Sequence, residues 1–153
     1  MLSKLHLIAI LLVGPAAAQT VPTPESVLGH KPGDDFYLAN YDESRDYFHK
    51  LAAASNRIRI ISVGKTTRGL DWEIAIISSP QNLAQLDKHK DISRRLALGR
   101  DLTDESAKAL AHEGKVIVHI DGGLHSTEVA GAQQSIALAY KLEIGRASCR
   151  ERV

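Results

Sequence analysis

One cysteine, Cys149, is all that the 153 residues contain, so no disulfide can close within a chain and no multi-cysteine zinc site can be built. Net charge is equally scarce. The 19 basic and 18 acidic residues leave a formal +1, which implies no polyanionic partner. The Lys88-His89-Lys90 and Arg94-Arg95 clusters are offset by Asp87, Asp91 and Asp101, and no aromatic or glycine pattern of an RNA-binding fold accompanies them. Both clusters are therefore expected to face water, and nucleic acid is not an expected partner. Long apolar runs are missing as well. The run from Leu5 to Val13 falls well short of the roughly 20 residues that span a bilayer.

That short run has another use. Lys4 supplies a positive lead, and Ala16-Ala17-Ala18 follow the apolar core with the small residues a signal peptidase cuts beside. Residues 1–18 are expected to be a signal peptide, with the mature protein starting near Gln19 in the periplasm or outside the cell. No stable membrane span is then expected. Residues 19–35, rich in Pro, Gly and polar groups and without apolar periodicity, read as an extended lead-in. At the other end, residues 144–153 have no helical periodicity and match, residue for residue, one reading frame of a short-read sequencing adapter. The biological sequence is expected to end at about Leu142 or Glu143. Cys149 lies in this foreign tail, which leaves the rest with no thiol nucleophile and no cysteine metal ligand.

Between these ends, helices and strands alternate. A helix is expected to begin at Asp42 or Ser44, to bury Tyr47, Leu51 and Ala54 with Phe48 and Ala52 alongside, and to stop near Asn56. Strands are expected over residues 57–65 and 70–78, joined by a turn at Thr66 to Gly69 in which Gly69 supplies a positive φ. One helix should follow over residues 82–98, with Leu83, Leu86, Ile92, Leu96 and Leu98 as an imperfect apolar stripe. Another should run from Thr103 to His112, capped by Thr103 and closed by Gly114. His112 then suits the negative end of that helix. The interleaving indicates an α/β fold with helices covering a mostly buried sheet.

The chemistry gathers after that point, in residues 115–134. The β-branched run Val116-Ile117-Val118-His119-Ile120 reads as a buried third strand, in which His119 is a buried or partnered histidine. It breaks at Asp121-Gly122-Gly123, and a helix-favouring run follows from Val129 to Leu142. Asp121 either orients the turn through backbone hydrogen bonds or is an ordinary turn residue. His125 and Glu128 stand three residues apart at the mouth of the helix, so both side chains can point the same way. Imidazole and carboxylate are ordinary zinc ligands, whereas calcium or magnesium would call for an oxygen cage. The alternative keeps His125 as a loop residue and Glu128 as an acid at the positive helix end.

The segment from Asp121 to Glu128 resembles the first metal-binding motif of the zinc carboxypeptidase family, the carboxypeptidase A-like metallopeptidases. In that family a Gly-[Ile/Leu]-His-x-x-Glu segment follows a sheet strand, and its His and Glu bind zinc. The likeness runs from about Tyr37 to Leu142 and is closest to large bacterial members. It implies that His125 and Glu128 are the first two ligands of a Zn2+ site. The fold it implies is a mixed sheet flanked by helices, here truncated and represented by residues 36–143. The family often carries Glu-Gly-Arg at the earlier turn, but here the aligned residues are Arg68-Gly69-Leu70, so no substrate role passes to Arg68. The third ligand, a histidine, and the glutamate general base lie downstream in the family. No catalytic residue is therefore assigned here, and the fragment alone is expected to be inactive. The implied activity is hydrolysis of peptide substrates by a secreted enzyme. Alternatives are a related zinc deacylase, disfavoured by the leader, or a non-catalytic binding protein of the same fold.

Overall fold

The computed structural model describes residues 20–125 and 127–145. The expected leader and the tail from residue 146 onward lie outside the described residues. The lead-in is not wholly extended, because it contains a short helix α1, Pro24–Leu28. The Thr23 hydroxyl accepts from the Ser26 amide at 3.1 Å, Pro24 occupies the first turn, and Gly29 ends the helix at φ +78°. Helix α2, Tyr41–Ala54, starts slightly earlier than expected, at Asn40. Asn40 and Glu43 bond each other's backbone amides reciprocally, at 3.0 and 2.9 Å, which satisfies two of the free donors at the helix start. Its expected apolar face holds, with Tyr47 and Leu51 fully buried. The helix stops at Ala54 because Ser55 turns extended; Asn56 does not adopt the left-handed conformation.

Strands β1, Ile58–Lys65, and β2, Asp71–Ile77, form an antiparallel hairpin with Ile58 opposite Ile77 and Ile60 opposite Ala75. Gly69 in the connecting turn has φ +78°, as expected. Ile58 and partly buried Ile60, Ala75 and Ile77 join Tyr47, Leu51, Ile136 and Ala139 in one core. The expected single helix over 82–98 is two helices. Helix α3, Pro80–Ala84, capped by Ser79, is separated from α4, Leu86–Leu98, at Gln85, whose φ and ψ of −110° and 22° leave the helical region. On these two, Leu83 and Ile92 are buried whereas Leu96 and Leu98 are exposed. Lys88 and Lys90 face water, but His89 between them is buried, so only part of that basic cluster is a solvated face.

Helix α5, Asp104–Glu113, is capped by Thr103 as expected, with Ser106 completing a reciprocal pair of bonds. Its Glu113 holds Lys88 at 2.6 Å, tying α5 to α4. Gly114 follows with φ −67°, so it is not a left-handed cap; a Cβ there would stand 3.0 Å from Ile92 Cγ2. Helix α6, Val129–Glu143, completes the described chain and packs on α2. Its last residue, Glu143, is buried and accepts a hydrogen bond from the Ser55 hydroxyl.

The expected third strand is the main correction. Among the described residues, residues 115–120 pair with no strand, and the only sheet has two strands. Val116, Ile117, Val118 and Ile120 are 93, 68, 73 and 57% exposed. A β-branched run suits a pleated, half-buried surface, but it becomes a strand only where another strand supplies hydrogen bonds. The α/β architecture itself is present: six helices and a two-stranded antiparallel sheet among the described residues.

Candidate metal centre

The glycine turn is set by contact with α6. A Cβ on Gly122 would collide with the Ser135 hydroxyl and the Gly131 carbonyl, and one on Gly131 would lie 2.7 Å from the Gly123 amide nitrogen. Gly123 also has φ +79°, a conformation that side chains resist. Three glycines thus let the turn lie directly on the first turn of α6. The result is a half-open hollow of about 310 Å³ bordered by Ile120, Asp121, the two turn glycines, Glu128 and Ser135.

At its rim the two expected ligands meet. His125 Nδ1 stands 2.6 Å from Glu128 Oε1, and the His125 amide donates to Glu128 Oε2 at 3.1 Å. The Glu128 amide in turn donates to the His125 carbonyl at 2.9 Å, which closes the loop between them. An ionised carboxylate can only accept, so Nδ1–H is the donor in this pair. The side-chain bond from His125, then the backbone bond from the same residue, hold the Glu128 carboxyl below the usual glutamate range. Glu128 occupies the N-cap of α6 yet makes no capping bond to the helix amides. Its carboxylate is committed to His125 instead.

This donor set suits zinc: one imidazole and one carboxylate, both well exposed and in direct contact with each other. It is also incomplete. Among the described residues no group of three or more His, Cys, Asp or Glu could hold a metal ion, whereas a catalytic zinc takes three protein ligands and keeps one open position. His119 is partnered but not buried, bonding Asp121 Oδ2 at 2.9 Å. The Asp121 carboxylate therefore meets a neighbouring imidazole and, among the described residues, makes no bond to the turn backbone. His112 lies in the last turn of α5, and Arg68 is an exposed turn residue, both as expected.

One polar cluster escaped the sequence reading. Glu73 on β2 binds Arg45 Nε at 2.8 Å and His49 Nε2 at 3.0 Å, both on α2. Asp71 adds Lys65 Nζ at 2.5 Å, and its carbonyl accepts from the Tyr41 hydroxyl at 2.5 Å. No local signal marks this cluster, because its members meet only once the hairpin lies against α2.

The family model for zinc carboxypeptidases matches residues 45–144, a span that includes most of α2, the hairpin, the glycine turn and both candidate ligands. The chain belongs to the zinc carboxypeptidase family. Comparison with curated proteins and with solved structures gave no match.

Proposed function

We propose that the protein is a secreted zinc metallocarboxypeptidase whose first two metal ligands are His125 and Glu128. The observation that carries this reading is the direct contact of imidazole and carboxylate at the rim of a hollow, in a turn pressed onto α6 by glycines. Bound zinc supplies Lewis acidity toward a scissile carbonyl and lowers the pKa of its water. The chain's own residues do the holding. The bond to Glu128 fixes the imidazole orientation, and the Gly123–Gly131 approach fixes the loop that carries both. The substrate class is peptides, in keeping with the family. Secretion is proposed from the composition of residues 1–18; among the described residues, no helix is long and apolar enough to cross a membrane. With two ligands the 153-residue chain is expected to hold zinc loosely and to turn over no peptide.

The test is competition for zinc against a chromogenic chelator, using the full chain and its His125→Ala and Glu128→Ala variants. Each substitution should weaken binding by more than the roughly tenfold that an outer-shell change costs. Unchanged zinc affinity in the double variant would remove the metal assignment. Clear zinc-dependent release of C-terminal residues from peptides by the same chain would show that two ligands suffice.

A further inference from the structure

Glutamine is mostly a residue of surfaces, yet Gln133 of α6 is only 5% exposed. A buried amide is costly unless its donor and its acceptor are both used, and here both go to one residue. Oε1 accepts from the Ala39 amide and Nε2 donates to the Ala39 carbonyl, each at 3.0 Å, across 94 residues of sequence. Ala39 directly precedes Asn40, the N-cap of α2, whose reciprocal bonds with Glu43 fix the chain at that point. Gln133 therefore grips backbone that is itself held, not a side chain free to swing.

The same stretch of α6 carries the ligand turn, because the glycine turn lies against Gly131 and Ser135. At 3.6 residues per turn, Gln133 stands roughly 200° round the helix from Gly131, near its opposite side. The start of α6 is thus held between the Ala39 backbone on one side and the glycine turn on the other. Ile136 and Ala139 bury the helix further along. Apolar contact of that kind is non-directional and tolerates sliding and rotation. Two hydrogen bonds to one peptide segment do not, since a helix shift of about an ångström takes both out of range. Metal ligands are equally intolerant, needing to be held within about 0.5 Å.

We infer that Gln133 is a positioning residue for the candidate ligand pair: by fastening α6 to the Ala39 backbone, it sets where the glycine turn places His125 and Glu128. This rests on the reading of those two residues as metal ligands. Gln133 acts through the helix and Gly131, its own amide being spent on Ala39.

The experiment uses the full chain and two readouts, zinc competition and NMR of the His125 imidazole, whose signals are assigned by their loss in His125→Ala. Gln133→Ala removes both bonds, and Gln133→Asn keeps the amide but is one methylene short. Leu51→Ala, a cavity at a fully buried position of α2, controls for general loosening. Gln133→Ala should weaken zinc binding about tenfold, the scale for groups that support a metal ligand. Gln133→Asn should weaken it severalfold, and Leu51→Ala less than about twofold. The His125 signals should move in both Gln133 variants and keep the parent positions in Leu51→Ala. Should Gln133→Ala lose its circular dichroism, Gln133→Asn against Leu51→Ala decides. Equal losses in the Gln133 and Leu51 variants, or zinc affinity and His125 signals unchanged by the Gln133 substitutions, would overturn the proposal. Zinc binding that survives His125→Ala would instead remove the metal reading, and the His125 signals would still decide whether Gln133 places that side chain.

Discussion

Gly131 in the first turn of α6 lies so near Gly123 in the ligand turn that a Cβ on Gly131 would stand 2.7 Å from the Gly123 amide nitrogen. Helix propensity alone favours alanine over glycine by about 1 kcal/mol, so Gly131→Ala would stabilise an isolated helix. Here the contact is with backbone, which cannot swing aside as a long side chain can. Gly131→Ala should therefore destabilise the fold by about 1–3 kcal/mol, the range for overpacking. It should also weaken zinc binding by displacing the loop that holds His125. Urea unfolding and zinc competition on the same variant check both. A more stable variant with normal zinc binding would show that the turn is not seated on the helix.

Gln133 is two residues further along α6, and its side chain acts as a strand neighbour would. Its Oε1 accepts from the Ala39 amide and its Nε2 donates to the Ala39 carbonyl, both at 3.0 Å and both buried. Gln133→Ala leaves that amide and carbonyl without partners in the interior. The expected cost is about 2–4 kcal/mol, combining two stranded polar groups with the volume removed. The measurement is the urea midpoint. A change under about 0.5 kcal/mol, the scale of an ordinary surface substitution, would contradict the buried pairing.

How far these contacts can be read from the chain depends on their range. His125 and Glu128 were legible because three residues of spacing and a glycine break decide their meeting locally. Thr103 as a cap and Gly69 as a positive-φ residue are local in the same sense. Helix α1 was missed because five residues are too few for a period; only Thr23 before Pro24 signalled it. The state of residues 116–120 was not legible for a deeper reason. Apolar alternation reports what side chains prefer, while pairing depends on whether another strand is present. The clasp of Glu73 by Arg45 and His49 and the bonds from Gln133 to Ala39 join residues far apart in sequence, which no spacing rule reaches.

Glu73 gives the fold an acid sensitivity with a defined sign. Hydrogen bonds from His49 and then Arg45 hold its carboxyl below the ordinary glutamate value of 4.5. A carboxyl depressed in the folded state contributes stability that is fully present above its unfolded value and is lost as pH falls through the folded one. Glu73→Gln should cost at most about 1 kcal/mol at neutral pH, the scale of a surface ion pair. Below pH 4.5 the difference from the parent should shrink. Urea midpoints measured from neutral pH downward check this, and a difference that stays constant into acid would remove Glu73 as a contributor.

Tyr47 sets the opposite limit. Its ring is fully buried and its hydroxyl donates to the Pro22 carbonyl at 3.3 Å. Burial, followed by the neighbouring Tyr140 and Glu143, pushes its phenol well above the ordinary value of 10.0. A proton held more tightly in the folded state makes stability complete below the unfolded value and erodes it as pH rises beyond. Of the four tyrosines, Tyr47 should therefore remain protonated while the chain stays folded, and ionise only with unfolding. Tyr47→Phe should cost about 1 kcal/mol at neutral pH through the lost hydrogen bond, yet lose stability less steeply above pH 10. Tyrosinate absorbance followed alongside circular dichroism tests the pair of expectations. If Tyr47 ionises near its ordinary value with the helices intact, the packing of α2 against α6 is looser than these contacts imply.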